Sequence, residues 1–246
     1  MRLLLGLCAV YALFQWSASA LGSDRGQAGP IVAVLVVGAT LGVERLWFAR
    51  SLPAAMRAIG LWRPSRTGVA VSAGISALVL LAVPVYSLIT DATVTIRQGS
   101  LWLLPGLFAQ GGVAEETVFR GYLFGHLRRG RSFWRAAGLS TLPFVAVHLT
   151  LFVTLSWPVA LAALLLSVLL SFPLARLFEL GGWTIWPPAL VHFVVQGTVK
   201  IVDVAGDAAS AFPFVWMTAT AVIPLLVFVI PPVTAAAGES GPPPAD

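Results

Sequence analysis

Charge is what this sequence has least of. Only 10% of its 246 residues are Asp, Glu, Lys or Arg, against 58% apolar ones, and the mean hydropathy is +0.91, whereas soluble domains carry roughly 25% charged residues. The deficit excludes a soluble enzyme, a disordered chain and a coiled coil. Cysteine is nearly absent as well: Cys8 stands alone, which excludes a disulfide framework and a Cys-based metal site. Lysine occurs once, as Lys200, against fourteen arginines. The net charge of +5 and pI near 10.3 do not indicate nucleic acid as a partner, because the arginines concentrate in short loops beside apolar runs, where they act as topology determinants.

What is present in their place is about eight apolar runs, near 3–21, 28–48, 68–90, 101–127, 136–155, 159–178, 184–202 and 212–232, each long enough to cross the roughly 30 Å hydrocarbon layer. The expectation is an all-α polytopic membrane protein of about eight transmembrane helices in contact with membrane lipids, one domain over 1–237, with a Pro/Gly-rich tail at 238–246 that reads as disordered. Between Ala136 and Ala175 the stretch is too long for one crossing, and Ser156-Trp157-Pro158 is the natural turn. Arg45, Arg50, Arg57, Arg63 and Arg66 follow the second run, and Arg128, Arg129, Arg131 and Arg135 follow the fourth. Both loops are expected in the cytoplasm, which puts both termini there too, with the plasma membrane as the expected location. Arg2, the apolar stretch Leu3–Phe14 and Ala18-Ser19-Ala20 also resemble a secretory signal; residues 1–21 are read as a retained first helix, with a cleavable signal as the alternative.

Ionisable groups inside a span are expensive, and those away from helix ends are candidate sites. Four stand out: Glu115, Glu116, His148 and His192, accompanied by Arg120 and Gln196. Glu116 and Arg120 are four apart with the acid first, the favoured order for an ion pair on one helix face. Glu115 points about 100° away, lacks a local cation and is the one left for base chemistry. Glu115 lies thirteen residues before Arg128 and His148 thirteen after Arg135, about 20 Å of helix each, so the two are expected at matching depth, with His192 near them. Helical spacing puts Phe144 with His148, and His192 with Gln196, on shared faces. His192 and Gln196 together can offer N–H donors to a developing oxyanion, whereas Phe144 reads as core packing.

In order and spacing these residues resemble the CPBP intramembrane metalloprotease family, which includes the CAAX prenyl endopeptidases and bacterial proteins linked to bacteriocin processing or immunity. Glu115, Glu116 and Arg120 match its Glu-Glu-x-x-x-Arg, Phe144 and His148 its Phe-x-x-x-His, and His192 begins its His-x-x-x-Asn; the resemblance covers roughly Leu101 to Ile201. It implies that Glu115 and His148 activate water, that His192 and position 196 stabilise the oxyanion, and that Glu116, Arg120 and Phe144 support them. Position 196 departs from the pattern: Gln196 keeps the amide donor but is one methylene longer, and about 1 Å of misplacement can cost about a hundredfold in rate. The resemblance also implies zinc, since Glu115, His148 and His192 resemble the two-His, one-carboxylate ligand set of catalytic zinc sites. Water would then be activated by Lewis acidity, with Glu116 as the spare base; in a metal-free scheme Glu115 acts directly.

Three functions compete. An intramembrane endopeptidase acting on a membrane-embedded or lipid-anchored protein or peptide, CAAX-type prenylated substrates included, explains all three motifs. A non-catalytic binding or immunity-type module retaining the fold is favoured by Gln196. A proton-coupled transporter would use Glu115 and the histidines as a relay and leaves the motif spacing as coincidence.

Overall fold

The computed structural model describes residues 1–22 and 24–231; the tail expected at 238–246 lies outside them. The apolar runs fold as helices, which satisfy their backbone groups within each segment where no water is at hand. Helix α1 spans Arg2–Ala20, α2 Arg25–Phe48, the short α3 Leu52–Ala58 and α4 Arg66–Thr90. Residues 103–128 form one continuous helix, α5. After it come α6 (Phe133–His148), α7 (Trp157–Leu180), α8 (Trp186–Ile201) and α9 (Phe212–Val222), the last tightening into a 3-10 helix over Ile223–Val229.

Helix starts follow from local chemistry. Asp24 and Ser65 accept the backbone N–H of Gly26 and Gly68, each at 2.9 Å, which satisfies donors the first turn cannot use. Prolines fill the first turns of α7 and α8, where a missing N–H costs nothing. Ser156 precedes α7 in extended conformation, at the expected turn. Between α7 and α8 the chain reverses through Gly182 and Trp183, both left-handed.

Among the described residues six helical stretches are long and apolar enough to cross a membrane: Arg2–Ala20, Arg25–Phe48, Arg66–Thr90, Phe133–Thr154, Trp157–Leu180 and Ala209–Val229. The other two expected spans correspond to α5 and α8, and each falls short for a physical reason. Helix α8 has 16 residues, about 24 Å at 1.5 Å per residue. Helix α5 carries Glu115, Glu116 and Arg120 and widens to i→i+5 hydrogen bonding over Phe108–Ala114 and Thr117–Phe124, a distortion found mostly at functional sites. It is the best-enclosed helix, buried at every position of Thr117–Phe124.

Among the described residues three apolar clusters hold the helices together, two of them including α5. One joins α1 and α2 to α5 through Leu7, Phe14, Val32, Val36, Phe119 and Tyr122. A second joins α4, α7, α8 and α9, and a third packs Phe124 with Ala136, Phe178 and Ile185. A feature the apolar runs did not announce is an antiparallel ribbon of β1 (Thr93–Ile96) and β2 (Val202–Ala205), with Thr93 opposite Ala205 and Ile96 opposite Val202. Arg97 and Asp203 pair beside it at 2.7 Å. The opposite end of the bundle gathers the arginine-rich turns: Ser65 N–H donates to Gly181 O at 2.8 Å, Arg128 pairs with Glu179 at 2.6 Å, and Arg50 with the buried Glu44 at 2.6 Å.

Candidate active site

Glu116 is the anchor. Fully buried on α5, it accepts on a single oxygen, Oε1, from Arg120 Nη1 at 2.9 Å and from His192 Nδ1 at 2.6 Å. The expected i,i+4 pair is therefore present and is extended across to α8. The guanidinium of Arg120 lies over the Phe144 ring, 4.6 Å from its centroid, where the ring's negative face attracts it. Phe144 packs edge-on against Phe119 at 4.7 Å and stands 4.6 Å from the His148 ring and 6.5 Å from the His192 ring. Its core packing is also what spaces the two histidines.

Glu115 is differently placed. Its Oε2 lies 3.7 Å from His192 Nε2, and its side chain keeps 22% of its surface where Glu116 keeps 0%. The reachable acid is the one without a local arginine. His192 thus stands between two carboxylates, and because an ionised carboxylate only accepts, Nδ1 carries the proton it gives to Glu116. Nε2, on the side of Glu115, is left for a lone pair or a second proton. His148 points its Nδ1 at Phe144 O, 2.7 Å away, which likewise leaves Nε2 outward. Among the described residues His148 forms no ion pair or hydrogen bond with Glu115 or His192. The structure therefore joins Glu115, Glu116, Arg120 and His192 directly and brings in His148 through Phe144.

Gln196, one turn beyond His192, receives Lys200 Nζ on Oε1 at 3.2 Å. Among the described residues its Nε2 is buried without a partner, as are Glu116 Oε2, Thr117 Oγ1 and Arg120 Nη2. An unpaired buried polar atom costs about 1–3 kcal/mol, and native cores carry few of them; these four, on α5 and α8, are unused hydrogen-bonding capacity. The sequence reading missed three neighbours. Lys200 is i+4 from Gln196 and lies within electrostatic range of Glu115. Gly111, four residues before Glu115, has the Gln196 amide against its Cα. Tyr11 on α1 also stands within range of Glu115 and hydrogen-bonds Gln15. The shared helix faces pointed to the first two, whereas no spacing rule connects Tyr11 to α5.

The same geometry bears on metal ligation. Orienting the Nδ1 of each histidine and leaving Nε2 outward is the pattern metal-binding histidines use. The ligand set itself is not assembled: among the described residues no three of His, Cys, Asp and Glu converge as an ion requires, since Glu115 meets His192 but not His148. The arrangement as it stands is a carboxylate beside an oriented imidazole, with a spare amide donor nearby.

Neither the curated proteins nor the solved structures give a match to this chain. Residues 97–198, which hold α5, Phe144, His148, His192 and Gln196, match the family model described as type II CAAX prenyl endopeptidase Rce1-like.

Proposed function

We propose that this protein is an intramembrane endopeptidase that hydrolyses a peptide bond in a membrane-embedded or lipid-anchored substrate, with CAAX-type prenylated chains as the finer expectation. The single observation that supports it is the line Glu115, His192, Glu116, Arg120, which crosses from α5 to α8 inside the bundle and leaves one acid reachable and the other fixed. In this reading Glu115 takes a proton from water as the water oxygen attacks the scissile carbonyl carbon. His192 Nε2, 3.7 Å from Glu115 Oε2, relays that proton to the leaving amine as the C–N bond breaks, and Glu116 steadies the imidazole through Nδ1. The Gln196 amide supplies the donor for the tetrahedral oxyanion. His148 Nε2 orients the attacking water. The arginine-rich end faces the cytoplasm, with the plasma membrane as the setting. Were zinc to bind, the Nε2 atoms of His148 and His192 with Glu115 would have to draw together to hold it, and it would supply Lewis acidity.

The test is Glu115→Gln, which keeps the shape and removes the base. Purified in detergent, the variant should elute and melt as wild type does while cleavage of fluorogenic membrane-derived and prenylated peptides falls by about a hundredfold or more. A chelator separates the two roles of Glu115: cleavage that survives assigns it as base, and cleavage lost and restored by zinc assigns it as ligand. Equal cleavage by wild type and Glu115→Gln would remove Glu115 from the chemistry, and no cleavage by folded wild type would favour the binding-module reading.

A further inference from the structure

The observations around Gln196 carry one step beyond this reading, on which it rests. The amide of Gln196 has two ends, and only its oxygen can accept. Lys200 Nζ has three donors and no acceptor, so its 3.2 Å contact fixes Oε1 as the end turned toward the lysine. The NH2 end must then face the other way, and it does: Nε2 is buried, without a partner among the described residues, against Gly111, on the helix that carries Glu115 four residues later. A side chain at Gly111 has no room, since even a Cβ would overlap Gln196 Nε2. Lys200, the only lysine of the chain, is itself half-buried at the end of α8 rather than extended to water, where a lysine at a helix end ordinarily puts its ammonium.

We infer that Lys200 is a positioning residue, which holds the Gln196 carboxamide with its N–H donors toward α5, and that Gly111 is the space that lets a glutamine act at this position. The extra methylene of glutamine lengthens the reach of the amide and adds a free torsion. Gly111 accommodates the length and Lys200 removes the freedom. A donor fixed before the reaction needs no reorganisation as the oxyanion forms. Without the lysine the amide can turn over, offering an acceptor where a donor is needed.

The sequence makes the test unusually clean, because it contains five glutamines, no asparagine and one lysine. In detergent-solubilised protein labelled with side-chain 15N glutamine, five carboxamide pairs are expected, and Gln196→Ala identifies one of them. Lys200→Met should shift that pair and leave the other four in place, and Lys200→Arg should keep it near its wild-type position. In peptide cleavage, Lys200→Met should lower kcat about tenfold to a hundredfold with KM little changed, and Lys200→Arg should restore most of it. Gly111→Ala should lower kcat similarly, and adding Gln196→Asn, one methylene shorter, should recover part of the loss. A Gln196 signal indifferent to Lys200→Met, or a Lys200→Met enzyme with wild-type kcat, overturns the inference. Should wild type cleave nothing, the protease reading fails, while the carboxamide shift still decides whether Lys200 holds the amide.

Discussion

At the residue scale the two adjacent glutamates differ in consequence. Glu116 neutralises Arg120 and orients His192 from a position with no exposed surface; Glu115 has neither task. Removing one partner of a buried ion pair leaves a stranded charge, at a cost of about 3–5 kcal/mol. Glu116→Ala should therefore lower stability by about that much, read from denaturant or thermal unfolding in detergent, whereas Glu115→Gln should leave the transition nearly unmoved and act on activity alone. Comparable destabilisation by both would mean that the acids share one structural role. Half of this division was legible in the sequence. Four-residue spacing exposes the Glu116–Arg120 pair because both ends lie on one helix. The bond from Glu116 to His192 joins residues 76 apart, and no local periodicity carries that information. Lys200 was legible in principle, four residues from Gln196, but a lone lysine near a helix end reads first as a topology signal.

At the scale of elements, α5 owes its place to glycine. Gly29 of α2 and Gly106 of α5 meet backbone to backbone; a Cβ on Gly29 would overlap Gly106 O, and one on Gly106 would overlap Arg25 O. Neither neighbour is a side chain that can swing aside, so the helices themselves must separate. Gly106→Ala should cost about 1–3 kcal/mol, the usual range for overpacking, and should lower activity by moving Glu115 relative to His192. Wild-type stability and kcat together would show that the α2–α5 contact does not position the site. The ribbon of β1 and β2 invites a pH measurement. Arg97 holds the Asp203 carboxyl below its ordinary range, chiefly through their hydrogen bond. A carboxyl depressed in the folded state binds fewer protons there than in the unfolded chain, so its contribution is present above about pH 4 and fades as pH falls below that. Amide protection at Thr95 and Val204, as exchange corrected for its intrinsic pH dependence, should fall as pH drops below about 4, and Asp203→Asn should flatten that response. The long spans were readable from apolar runs alone. Four-residue strands such as Thr93–Ile96 were not, because segments so short pair only once the helices on either side bring them together.

At the scale of the whole molecule, the distribution of charge between the two ends gives the strongest orientation signal. Arg2 donates to Trp47 O and Arg176 to Ile230 O, so the described chain starts and finishes at the end where Glu44, Arg50, Arg128 and Glu179 cluster. Eleven of the fifteen Lys and Arg residues lie at that end; Arg25, Arg97 and Lys200 lie toward the other, together with Asp24, Asp91, Asp203 and Asp207, and Arg120 is inside. An asymmetry this large in short loops orients helical membrane proteins with the basic side in the cytoplasm. Cys8 is the only native thiol, so a Cys8→Ala background allows single reporters. Asp207→Cys should react with a membrane-impermeant maleimide on intact cells, and Ser132→Cys only after permeabilisation. The reverse pattern would turn the bundle over. It would leave the contacts among Glu115, Glu116, Arg120 and His192 untouched, but it would move the arginine-rich end away from the cytoplasm and so change the compartment from which a substrate could approach the site.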